Sequence, residues 1–250
     1  NTAPKGVVPQ TVIVSFYVGA AILVITSALT IFKVKEYDPE TYARYHGIDA
    51  RANHEKVSWI DLLKQAPKAF WTVALVQFFC WFAFQYMWTY SAGAIAENVW
   101  QTTDASSSGY QAAGNWYGVL AAVQSIAAVV CSYVLAKVPN QYHKAGYFTS
   151  LALGALGFFS IFFVTDQYVL VGSYILIGIA WAGILTYPLT IVTNALSGKH
   201  MGTYLGLFNG SICIPQIIAS LLSFGLYPLL GGQQANMFLA GGIALLLGAC

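Results

Sequence analysis

Seven stretches of the chain are almost uninterruptedly apolar: residues 11–32, 69–93, 115–138, 145–165, 169–196, 203–230 and 235–250. A helix rises 1.5 Å per residue, so a bilayer core of about 30 Å takes roughly 20 residues to cross. The first six stretches predict spanning helices. The seventh offers 16 residues before Cys250, too few to cross comfortably. Alternation with a period of two is absent, which excludes an outer-membrane barrel. The chain starts at Asn1 with no signal peptide ahead of it, and both ends are expected to be cuts in a longer protein.

The polar connections carry their own pattern. Residues 33–68 hold 13 of the 20 charged residues. With seven spans, the connections alternate between two sides. Ten of the eleven Lys and Arg fall on one side, in 33–68, 139–144 with its flanks, and 197–202; Lys5 is the exception. The opposite connections, 94–114, 166–168 and 231–234, hold Glu97, Asp104 and Asp166 but no Lys or Arg. The positive-inside rule predicts a cytoplasmic 33–68 and an outside N-terminus. Within 33–68, Asp38-Pro39-Glu40 predicts a short helix closed by Gly47, and Ser58 with Asp61 resembles a capping box ahead of Trp59, Leu62 and Leu63. The segment reads most simply as a tether between two bundles, and an interfacial helix is the alternative.

Composition agrees. The chain is 58% hydrophobic and 8% charged, with a mean hydropathy of +0.64, against about 25% charged in soluble domains. A soluble enzyme, a nucleic-acid binder and a disordered regulator are excluded. Cys80, Cys131, Cys213 and Cys250 lie in apolar spans at unrelated spacings, and His46, His54, His143 and His200 lie in loops, so no metal site and no cofactor are expected. Phosphate-binding, hydrolase and metalloprotease motifs are missing.

Polar residues inside spans are the remaining chemistry. Gln77, Trp81, Gln85, Trp88 and Thr89 share one face of the second span. Tyr117, Gln124 and Cys131 repeat every seven residues in the third. Trp181, Tyr187, Thr190 and Asn194 follow along the fifth. Asn209, Ile212, Gln216, Ser220, Ser223 and Tyr227 form a stripe on the sixth. Interhelical hydrogen bonds are one reading. Three amide-bearing faces interspersed with Trp favour a shared polar cavity, because amides both donate to and accept from hydroxyls while flat rings cover the apolar face of a sugar. The expected substrate contacts are Gln77, Trp81, Gln85, Gln124, Trp181, Asn209 and Gln216. No charge lies in mid-span, which disfavours an ionic ligand. Pro188 and Pro215 are expected to interrupt the fifth and sixth spans, Gly178 and Gly183 flank Trp181, and Gly206-x-x-x-Gly210 offers a close-packing face.

The segments WFAFQYMWTYSAGAIAENVWQTT (81–103), GNWYGVL (114–120) and GIAWAGILTYPLTIVTNALSGKHMGTYLGLFNGSICIPQI (178–217) resemble the sucrose/maltose–proton symporter branch of the major facilitator superfamily, of the glycoside–pentoside–hexuronide type. The resemblance implies an all-α integral membrane protein of twelve helices in two bundles, of which these would be helices six to twelve. Residues 1–32 would then end the first bundle, 33–68 would be the central cytoplasmic loop, and 69–250 the second bundle. It further implies symport of a disaccharide or related glycoside with a proton, or sodium in its place, across the cell membrane. Its partners would be the neutral sugar, membrane lipid and an N-terminal bundle of the same protein. The family's proton-coupling acid is expected in that bundle; Glu97 is the one stand-in here. The eighth-to-ninth loop, AKVPNQYHKAG, keeps only the basic character of the family's signature.

A seven-helix receptor with an outside N-terminus is the alternative. A retinal protein would need a Lys in the last span, and a channel would show charged rings or filter loops; neither is present. No nucleophile, base or metal set marks an intramembrane enzyme.

Overall fold

The computed structural model describes residues 10–34, 37–47, 58–196 and 200–250. Among them every long element is an α-helix and no strand occurs. The chain divides into two compact units, 1–56 and 57–250.

The first unit holds α1 (Gln10–Lys33) and α2 (Pro39–His46). Apolar side chains point outward all along α1, with Phe16, Ile22 and Phe32 exposed. Helix α2 starts where the Asp-Pro-Glu signal places it. The Asp38 carboxylate accepts from the Thr41 backbone amide at 3.1 Å, and hydrogen bonds from the Thr41 side chain and then from that amide hold its carboxyl below the usual range. The chain then turns at Gly47, whose φ of +63° suits a residue without Cβ.

The second unit runs from α3 (Trp59–Gln65) through α4 (Lys68–Val99), α5 (Ser108–Leu135), α6 (His143–Phe163), α7 (Leu170–Ala195), α8 (Met201–Phe208) and α9 (Gly210–Leu229) to α10 (Gln234–Ala249). Ser58 does precede α3, but its side chain makes no capping bond; the Ser58 carbonyl accepts from Leu62 instead. Among the described residues six helices, with α8 and α9 counted as one, are long and apolar enough to cross a membrane, and α10 is a shorter apolar helix after them. This is a multi-pass membrane protein.

Helix α4 is the organising element. It packs against α5, α7, α9 and α10, while α6 packs against α7 and α10. The core they share is aromatic, built around Phe84, Phe158, Tyr174 and Phe238. Half of the α7 span is buried, but under a fifth of α5 or of α8–α9 is. Those two therefore turn most of their apolar length away from the bundle.

Proline acts unequally. Helix α7 runs unbroken through the buried Pro188, contrary to the expected interruption. Packing on both neighbours outweighs the one lost backbone bond. The sixth span does break, at Asn209, six residues before Pro215. Pro215 offers no N–H to the turn before it. The joint is held instead by the Ser211 hydroxyl on the Phe208 carbonyl at 2.6 Å and by the Asn209 carbonyl, which accepts from Ile212 and Cys213.

The close-packing glycines also differ from expectation. Gly206 has open space where a Cβ would stand, and Gly210 meets only its own helix at Ile214. Gly178 is a contact point: a Cβ there would lie 2.5 Å from the Gln124 carbonyl oxygen, so α7 rests against the α5 backbone.

Candidate functional site

The α4 stripe meets α7 in a cluster of tryptophans. The Trp81 and Trp181 ring centres lie 5.5 Å apart and edge-on, those of Trp88 and Trp181 5.7 Å apart and edge-on, and those of Trp81 and Trp88 6.1 Å apart. Phe84 backs Trp181 at 4.9 Å and is itself seated on Phe158. The rings are too close to admit a group between them, so they present one composite surface. Trp88 is its exposed part, at 39%. The Trp81 indole nitrogen is buried and has no acceptor among the described residues. A buried N–H without a partner loses the hydrogen bond that it would make in water.

The expected amides divide around this cluster. Gln85, half-buried one turn from Trp81 and from Trp88, has only its own helix for company: its amide nitrogen stands 3.5 Å from the Thr89 hydroxyl. Gln124 on α5 is buried and makes no side-chain hydrogen bond among the described residues. Its carbonyl abuts Gly178, one turn from Trp181. Trp81, Trp88 and Trp181 are thus brought together with Gln85 one turn away, while Gln124 is tied to α7 only through its backbone carbonyl at Gly178.

Gln77, Asn209 and Gln216 are placed otherwise. Gln77 is buried and its Oε1 accepts from the Tyr147 hydroxyl of α6 at 3.0 Å, and Cys80 Sγ lies 3.6 Å from that hydroxyl. Gln216 turns its amide back to the Ile212 carbonyl at 3.0 Å. Asn209 is exposed at the joint between α8 and α9. No ring contact or hydrogen bond among the described residues joins these three to the tryptophans.

Two residues of the cluster were not among the expected substrate contacts, Trp88 and Phe84. Trp88 stood on the predicted face, and its i+7 spacing from Trp81 was signal enough. Phe84 reads as ordinary core until Trp181 is seen against it.

Glu97 has a structural task. Its Oε2 accepts from the backbone amides of Gln234 and Ala235 at 2.8 and 3.3 Å. The first turn of α10 has no side-chain cap of its own, so a carboxylate from α4 satisfies it and faces its positive dipole end. Among the described residues no group of His, Cys, Asp and Glu forms a metal site, and all four cysteines are free.

Trp88 is the exposed edge of the aromatic wall. A separate apolar groove of about 570 Å³ lies between α3, α4, α8 and α9, lined by Trp59, Phe70, Trp71, Phe78, Phe208 and Pro215. It lacks the polar groups that a hydroxylated ligand requires.

The sequence matches the family model of the Major Facilitator Superfamily over residues 11–220, more than half of the chain. No curated protein matches it.

Proposed function

The chain belongs to the Major Facilitator Superfamily and is a membrane transporter, and from that premise we propose that it carries a neutral disaccharide or related glycoside together with a proton. Transporters of this superfamily are generally not enzymes. Six membrane-length helices with a short seventh do not favour the seven-helix receptor.

One observation carries the sugar reading: the Trp81–Trp88–Trp181 surface on a wall without charge, with an indole N–H that no group among the described residues accepts. Pyranoside rings have an apolar face that lies on such a surface and hydroxyls that accept from it. Gln85 stands one turn from Trp81 with its amide held only at 3.5 Å from Thr89 of its own helix, and the Gln124 side chain makes no hydrogen bond among the described residues. Gln77, Asn209 and Gln216 are assigned at most a supporting part, since two of the three amides are engaged within the bundle.

The sucrose/maltose–proton symporter branch fits this wall and the motif segments. In that reading the spans are helices six to twelve, 1–32 ends a first bundle, 33–68 is the central cytoplasmic loop and 69–250 is the second bundle, in the cell membrane. The uncovered lengths of α5 and α8–α9 are the surface on which the first bundle would close. The coupling acid is assigned to that bundle, because Glu97 is committed to α10.

The test is sugar binding to purified protein, read by tryptophan fluorescence across a panel of disaccharides. Covering roughly 50 Å² of sugar face at about 25 cal/mol per Å² gives about 1.2 kcal/mol. Trp88→Ala is expected to weaken binding about five- to tenfold, and Trp88→Phe to keep part of that loss. Unchanged affinity in a folded Trp88→Ala protein would refute the assignment.

A further inference from the structure

The tryptophan wall is made by two helices, so its shape depends on the register of α7 against α4. Apolar packing does little to fix that register, because lipid is as apolar as the side chains it surrounds. A hydrogen bond is directional and is satisfied at one register only. Among the described residues, one side-chain hydrogen bond joins α4 to α7: the Tyr174 hydroxyl donates to Ser91 Oγ at 2.9 Å. Both residues are fully buried, at 0% exposure.

The pair is tied into the wall from both helices. Ser91 donates its own proton to the Met87 carbonyl at 2.6 Å, which belongs to the peptide that enters Trp88, and so meets Tyr174 as an acceptor. Ser91 lies three residues after Trp88 on α4, one turn along the helix. Tyr174 lies seven residues before Trp181 on α7, about two turns along the same face. The hydrogen bond is therefore the next rung of a contact whose other rungs are Trp181 against Trp88 and Trp81. On the α5 side the Tyr117 ring centre stands 6.2 Å from that of Tyr174 and braces it. With no exposed surface, neither Tyr174 nor Ser91 can touch a sugar.

We propose that Tyr174 and Ser91 are positioning residues: their hydrogen bond fixes the angle and spacing of Trp181 against Trp81 and Trp88, and with them which sugars the wall selects. Selectivity rests on the proposal of a sugar substrate; the ring geometry is independent of it. A second hydroxyl pair supplies a control. Ser160 of α6 donates to Ser173 at 2.7 Å, beside Tyr174 in the chain, but joins α7 to α6 instead.

Near-ultraviolet circular dichroism of the purified protein, at the long-wavelength edge where indole alone absorbs, reads the ring geometry without sugar. Tyr174→Phe and Ser91→Ala are each expected to change this signal, and the double substitution to change it no further than either alone. Ser160→Ala should leave it as it is. Melting temperatures taken alongside identify the folded variants. In sugar titrations Tyr174→Phe should weaken the tightest-bound disaccharide about fivefold, as for one neutral hydrogen bond, and the weakest hardly at all, so that selectivity narrows. An unchanged indole signal in folded Tyr174→Phe and Ser91→Ala, an equal change in Ser160→Ala, or an unchanged ratio of affinities would overturn the proposal. A signal that changes in Tyr174→Phe but not in Ser160→Ala, in a protein that binds no disaccharide, would uphold the positioning and refute the sugar substrate.

Discussion

Gln77 and Gln85 sit eight residues apart on the same helical line, yet they meet different surroundings. Gln77 receives the Tyr147 hydroxyl; Gln85 finds only Thr89 of its own helix. Replacing Gln77 by Leu would strand a buried hydroxyl, at about 1–3 kcal/mol. The expected outcome is a lower melting temperature with sugar affinity nearly unchanged. Replacing Gln85 by Leu should do the reverse, leaving stability intact and weakening binding about 5- to 150-fold. Thermal unfolding and ligand titration of the two variants separate the roles. The line itself was legible in the sequence, since 3.6-residue periodicity fixes it. Which amide is spent was not, because Tyr147 lies seventy residues further along the chain. Sequence spacing brought Trp81 and Trp88 together, but the approach of Trp181 depends on how α7 packs.

At the scale of elements, every apolar run became a helix, since length and hydropathy alone decide that in a membrane. Breaks were harder to read. Pro188 and Pro215 look alike in sequence, and only the sparsely buried span yields. The break at Asn209 should close in Pro215→Ala, and if that joint moves during transport, turnover should fall more than affinity. Equal losses in both, measured by initial rates over a range of sugar concentrations, would assign Pro215 to packing. The contact of α7 with α5 is tighter. Gly178→Ala sets a Cβ against the Gln124 carbonyl, and the resulting strain is expected to cost about 1–3 kcal/mol in thermal unfolding. The cap on α10 is a third case. Glu97→Ala should lower stability by about 0.5–2 kcal/mol through the lost acceptor, and Glu97→Gln should lower it less. Proton-driven uptake should survive Glu97→Gln, because the carboxylate serves a helix end. Nothing in the sequence around Glu97 announces that task, since its partners Gln234 and Ala235 lie on another helix.

For the whole molecule, the uncovered sides of α5 and α8–α9 and the exposed Trp88 edge of the tryptophan wall point the same way. A wall becomes a binding site when a second wall faces it, and alternating access then opens the space between them to either side in turn. Both arise because the apolar residues of these helices outnumber the partners that this bundle supplies. The central claim is sugar transport across such a cavity. Its most direct test is counterflow in proteoliposomes that hold the chain together with the first bundle the proposal requires. Labelled disaccharide should accumulate transiently and saturably, faster with an inward proton gradient, and Trp88→Ala should raise the half-saturating concentration about five- to tenfold. Counterflow that is absent for every sugar tested, or that is unaffected by Trp88→Ala and by the gradient, would contradict the account.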